Sequence, residues 1–211
     1  PALRADLWWV HALGGGAVYY GGSSGTVLAL SRGVFERLPT PGLRRDTVFG
    51  VWASSMDDVY AVGSAAGRNG FIWHYDGRTF VPLPLPDELP RDENADVPGF
   101  YKVWGASPAD VWVVGDRGVV LRGSAQDGFR VIPSGSVERL FTVHGAGGRV
   151  VMVGGSGNGF ALEAEADDLV SITPPGASLL QGVSVAESGA VWTVGLGGNV
   201  YSQAAPDAAW Q

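Results

Sequence analysis

The sequence predicts an all-β chain, a β-propeller of four-stranded antiparallel blades with five repeats visible. Three observations predict it. One phrase returns five times, it returns at a nearly constant interval, and each interval holds four short strand-like runs. The phrase is clearest in Val51-Trp52-Ala53-Ser54-Ser55-Met56-Asp57-Asp58-Val59-Tyr60-Ala61-Val62-Gly63 and in Val103-Trp104-Gly105-Ala106-Ser107-Pro108-Ala109-Asp110-Val111-Trp112-Val113-Val114-Gly115. The glycines closing its second run are Gly21, Gly63, Gly115, Gly154 and Gly195, at steps of 42, 52, 39 and 41. The residue after the Val of the first run is His11, Trp52, Trp104, His144 or Ser184, at steps of 41, 52, 40 and 40. Two markers thus share one period near 41 and one exception, an insertion around residues 82–99. A unit this short cannot bury its apolar face alone and must stack on copies of itself.

Each element follows from local composition. In the third copy the candidate strands are 101–104, 111–114, 119–122 and 129–132, separated by Ser107-Pro108, Asp116-Arg117-Gly118 and Gln126-Asp127-Gly128. Short runs rich in Val, Trp, Tyr and Phe between such turn residues are strand signals. None is long enough for a stable helix. The stretch 162–169 looks helical in isolation, but its place in the repeat is strand, turn, strand. The second strand is nearly all apolar, as in Val111-Trp112-Val113-Val114 and Val191-Trp192-Thr193-Val194, which predicts burial on both faces. The fourth carries charges, as in Phe35-Glu36-Arg37-Leu38, which suits an outer edge. Sheets of about 40 residues stacked face to face make a propeller. One domain spans 1–211, with repeats at about 1–42, 43–90, 91–135, 136–177 and 178–211. The fifth copy reaches Trp210-Gln211 where its fourth strand should begin. The chain starts at Pro1 without a methionine, so either a leader was removed or it is a piece of something longer.

Composition narrows function. A net charge of −7 disfavours a phosphate backbone as partner. There is no cysteine, hence no disulfide and no thiolate metal site. No apolar run approaches the roughly 20 residues that span a bilayer as a helix. Arginine outnumbers lysine 13 to 1, a usage that suggests a GC-rich bacterial genome.

The phrase V-W-(G/A)-(A/S)-S-x-x-D-V-(W/Y)-x-V-G continues into His74-Tyr75-Asp76-Gly77-Arg78-Thr79-Phe80, echoed by Gln126-Asp127-Gly128-Phe129. It resembles repeats of secreted and surface proteins of myxobacteria and related bacteria. More distantly it is similar to propellers of the photosystem II assembly/stability factor family and to the Asp-box repeats of sialidases. The resemblance implies a bladed fold and an extracytoplasmic setting: secreted, periplasmic or cell-surface. It does not imply sialidase activity, because no motif here matches that family's arginine cluster, acid/base Asp or nucleophilic Tyr.

Candidate chemistry is weighed against packing. His11 and His144 fill the slot of Trp52 and Trp104, so they read as packing replacements rather than metal ligands; His74 sits beside the Asp76-Gly77 turn. The run Gly154-Gly155-Ser156-Gly157-Asn158-Gly159 looks like a phosphate loop, but strand residues follow where a helix would be needed. Lys102 is the only lysine, which leaves no Walker lysine. Asp57, Asp58 and Asp110 precede second strands and read as turn ties. No phrase for a serine nucleophile is present; Gly22-Ser23-Ser24-Gly25 only approximates one. Trp52, Trp104, Trp112 and Trp192 recur in register and are expected to form the core. The chain therefore reads as no enzyme, with no cofactor and no metal.

Departures from the repeat mark candidate function. They are the insertion and the longer turn at residues 64–70, which propeller topology places on one face. The partner-binding candidates are Arg68, Asn69, Asp87, Glu88, Arg91, Asp92 and Glu93. The reading is a non-catalytic interaction or scaffold propeller that holds another protein, as part of a larger surface assembly. The alternative is a glycan-binding propeller, lectin-like or sialidase-related.

Overall fold

The computed structural model describes residues 4–65 and 68–211. It is a β-propeller architecture of five antiparallel sheets, each strand paired with its sequence neighbour. Blade 1 is β1 (Leu7–Leu13), β2 (Ala17–Gly22), β3 (Thr26–Ser31) and β4 (Val34–Arg37). Blade 2 is β5 (Thr47–Ser55), β6 (Asp58–Ala65), β7 (Arg68–Tyr75) and β8 (Phe80–Pro82). Blade 3 is β9 (Phe100–Ser107), β10 (Asp110–Gly115), β11 (Val120–Ser124) and β12 (Gly128–Val131). Blade 4 is β13 (Leu140–Ala146), β14 (Arg149–Gly155), β15 (Gly159–Glu165) and β16 (Asp168–Ser171). Blade 5 is β17 (Leu180–Val185), β18 (Val191–Gly195) and β19 (Val200–Gln203). The stretch that looks helical alone is thus the β15–β16 hairpin, and the glycine run joins β14 to β15.

The first strands β1, β5, β9, β13 and β17 lie side by side in that order and form the inner rim. Among the described residues β17 makes no comparable approach to β1. Beyond the three strands of blade 5, Gln211 exchanges both backbone hydrogen bonds with Ser202, each 2.9 Å. Trp210 Nε1 donates to the Ile172 carbonyl of blade 4 at 2.8 Å and pins this end.

The core lies between blades. One cluster joins Tyr60, Val62 and Ile72 of blade 2 to Val103, Val111 and Leu121 of blade 3, and another joins Trp112 and Val120 to Val143 and Met152 of blade 4. The recurrent ring slot is an interlock. A Cβ at Gly105 would stand 2.5 Å from the Trp52 indole, and one at Gly145 2.5 Å from the Trp104 indole, so each ring lies on bare backbone of the next blade. The histidines take the same place. His11 Nε2 donates to Ala53 O at 3.2 Å, and His144 Nδ1 accepts the Val185 N–H at 3.0 Å. Burial pushes both imidazoles below their ordinary pKa.

Two expectations are corrected. Trp192 is 45% exposed and Val194 46%, although an apolar second strand predicts burial on both faces. The reason is positional: blade 4 covers one face of β18, through Val191 and Thr193, and among the described residues no sheet covers the other. The Asp residues before second strands do more than tie turns. Asp58 accepts from His74 Nε2 at 2.6 Å on the third strand, and Asp110 accepts from Arg122 Nε at 2.6 Å in the equivalent place. Blade 4 keeps this tie with its charges exchanged: Arg149 Nε donates to Glu163 Oε1 at 2.5 Å.

Candidate interaction face

In an up-and-down sheet the second-to-third turns and the connections to the next blade emerge at one end. The insertion between β8 and β9 and the β6–β7 turn therefore share an end of the propeller. Residues 66 and 67 of that turn lie outside the described residues.

The insertion is anchored. Leu83 N donates to Ile72 O at 2.8 Å and continues the edge of blade 2. Leu89 and Val97 are 3% and 5% exposed and belong to the core between blades 2 and 3. The chain between these anchors is folded on itself. Asp92 N donates to Asp96 O at 3.0 Å, while Asp92 Oδ1 accepts the backbone N–H groups of Asn94 and Asp96. The bond from the Asp96 N–H holds the Asp92 carboxyl below its usual range.

The structure separates the seven candidates into two groups. Arg68, Asn69, Arg91 and Asp92 gather around the 92–97 turn. Arg68 lies 3.9 Å from the Asp96 carboxylate, Asn69 N donates to Val97 O at 3.0 Å, and Arg91 donates to Ala95 O at 3.1 Å. Arg117, from the β10–β11 turn, adds a bond to Asp96 O. These four hold the insertion in place. Asp87, Glu88 and Glu93 are exposed and make no hydrogen bond or ion pair among the described residues.

Other groups suggest chemistry and resolve into structure. Asp58 stands between Ser54 Oγ and His74 Nε2, and both donate to it. The imidazole therefore faces the carboxylate rather than the hydroxyl, the wrong order for activating a serine. At the opposite end a cleft of about 450 Å³ opens between blades 3 and 4, lined by Trp104, Trp112, Arg122, Arg149 and Glu187. Both guanidinium groups there are already occupied: Arg122 by Asp110, Ala166 O and Asp167, Arg149 by Glu163, Gly189 O and Gln203.

Sequence reasoning missed one arrangement on the inner rim. Trp8, Phe49, Tyr101 and Phe141 occupy one repeat position and form a row of rings, with centroids 6.0, 5.8 and 5.6 Å apart in sequence. Their steps follow the repeat period, and that was the available signal. Beside them Lys102 places Nζ 3.0 Å over the centre of the Trp9 ring, and burial pushes its amine down to about 7.

No family model matches the chain, and no curated protein does. Solved structures match it along its whole length. YCF48 bound to D1 peptide is 14% identical with a TM-score of 0.69, over 100% of this chain and 71% of that one. YCF48 from Cyanidioschyzon merolae is 12% identical with a TM-score of 0.72, over 100% of this chain and 73% of that one. The WD40 β-propeller domain of Doa1 is 13% identical with a TM-score of 0.68, over 90% of this chain and 61% of that one. The likeness establishes the fold: the chain is built as a β-propeller.

Proposed function

We propose that the chain is a non-catalytic propeller that holds a segment of another protein on its loop-rich end. The observation that carries this reading is the insertion. Its ends are buried in the core and its middle is closed by backbone bonds, so Asp87, Glu88 and Glu93 are displayed from a fixed platform. Rigid scaffolds that present charged loops are suited to recognition. Three unpaired carboxylates on a chain of net charge −7 favour a basic segment. A structural neighbour was solved with a peptide bound, which makes a peptide a reasonable form of partner. The non-catalytic reading is supported by the order of Ser54, Asp58 and His74. The extracytoplasmic setting rests on the likeness of the repeat phrase to those of secreted and surface proteins.

The test is fluorescence anisotropy with labelled extended peptides of one length, rich either in arginine or in glutamate. The arginine peptide should bind, and D87N/E88Q/E93Q should weaken it about tenfold or more. Equal binding of both peptides, or no loss in the triple variant, would overturn the reading. A glycan array runs beside it, and reproducible capture of one sugar type would install the glycan-binding alternative. Fractionation of cells making the protein checks the setting.

A further inference from the structure

The inner rim carries a device that the loop-end reading does not use. In every blade the pairing of first with second strand slips by one residue, and the residue left over is Trp8, Phe49, Tyr101, Phe141 or Gln181. A bulge re-aims its side chain. Four successive blades use it to set an aromatic ring against the ring of the next. Trp8, at the end of the row, is 59% exposed, and Phe49, Tyr101 and Phe141 are half-buried, so the row keeps open surface.

Lys102 follows the bulge of blade 3. Its Cα lies 3.1 Å from where a Cβ of Gly50 would stand, and its Nζ lies over Trp9. The stem therefore leaves blade 3, crosses the inner strand of blade 2 at a residue without a side chain, and ends against blade 1. The residue is only 7% exposed, and its ammonium makes no hydrogen bond or ion pair among the described residues. Lysine at such burial is ordinarily paired. A ring face is a partial substitute and leaves the ammonium without a counter-charge. Asp116 and Arg139, which interact with Tyr101, satisfy each other at 3.0 Å.

We propose that this rim is a binding site for an apolar carboxylic acid, with its hydrocarbon part on Phe49 and Tyr101 and its carboxylate on Lys102. One cation sets the charge of the ligand at one. The rings supply apolar contact area, and a single cation is a poor match for the two negative charges of a phosphate. The site is independent of the insertion and stands or falls separately from the peptide reading.

The probes are 3-phenylpropionate and its neutral amide, titrated calorimetrically into the folded chain. Because Lys102 is the only lysine, acetylation by acetic anhydride reports on it directly, with peptide mapping to set aside the amino terminus. The acid should bind and slow acetylation of Lys102 several-fold, and the amide should do neither. K102M should lower affinity for the acid about tenfold or more, and F49A should weaken it without abolishing it. Binding of acid and amide alike, full affinity in K102M, or no protection of Lys102 at the solubility limit of the acid would each overturn the proposal. The acid–amide comparison uses the unaltered chain, so it decides the matter even if a variant folds poorly.

Discussion

The indole of Trp52 occupies the space in which Gly105 would carry a side chain: a Cβ built there falls 2.5 Å from Trp52 Cη2 and 2.6 Å from Cζ2. The two residues belong to neighbouring blades, and the same pairing recurs between Trp104 and Gly145. Where the ring is the smaller imidazole, the facing residue has a side chain, as in His11 with Ala53 and His144 with Val185. Ring size and facing residue are matched across each junction.

That match predicts the behaviour of Gly105→Ala. The added methyl should overpack the junction and lower stability by about 1–3 kcal/mol in urea denaturation. Combining it with Trp52→His rebuilds the pairing of the first junction. The double variant should lose less than the sum of the single losses, and strict additivity would deny the interlock.

Lys102 should make stability depend on pH. Its amine titrates near 10.5 when unfolded and at about 7 when folded, so between these values the unfolded chain binds more protons. Stability should rise as pH goes from 7 towards 10, by up to about 4 kcal/mol. The rise ends there, because burial raises the phenols of Tyr19, Tyr60, Tyr75 and Tyr101 above 10.0 and the unfolded chain loses those protons first. K102M should remove the rise and be the more stable protein at neutral pH by about 1–4 kcal/mol. At lower pH, His11 and His144 act in the same sense, and stability should fall below about 6.5, the unfolded imidazole value. Denaturation midpoints across pH check all three statements.

The strand ties should differ in strength with burial. The Arg149 and Glu163 side chains are 6% and 14% exposed, against 28% for both Asp110 and Arg122. R149M strands a shielded carboxylate and should cost about 3–5 kcal/mol, while R149M/E163M should recover most of it. D110N should cost under about 1 kcal/mol. Thermal or urea unfolding of the four proteins checks the order.

The insertion should separate stability from recognition. L89A opens a cavity between blades 2 and 3 and should cost about 2–4 kcal/mol. Neutralising Asp87, Glu88 and Glu93 should leave the midpoint within about 0.5 kcal/mol. Deleting residues 85–97 would remove Leu89 and Val97 together, so that larger change should destabilise the chain as well as strip its acidic rim.

The architecture was legible because the repeat states it five times. Period, strand count and the equivalence of His11, Trp52, Trp104 and His144 all follow from laying the copies together. What the sequence could not state was adjacency. Trp192 looks like Trp112, but among the described residues β10 has a sheet on each side and β18 has one. The aromatic row was hidden by the bulges that make it. Bulges place Trp8 beside Trp9, Phe49 after Val48 and Phe141 after Leu140, so that the alternation of a strand dissolves into a continuous apolar run. The insertion was legible as a departure from the repeat, but its two anchors, Leu89 and Val97, were not, because they are outnumbered by the charges around them.

The exchanged polarity of Arg149 and Glu163 bears on how the chain finds its own partners while it folds. Tandem modules of similar sequence invite strand exchange between neighbours. A hybrid hairpin of β10 with β15 would set Asp110 against Glu163, and β14 with β11 would set Arg149 against Arg122. Both errors bring like charges together in a partly shielded place. The reversed charges of blade 4 thus set like charges against each other in both exchanges with blade 3, so the pairing of each second strand with its own third strand is favoured where the neighbouring sequences are most alike.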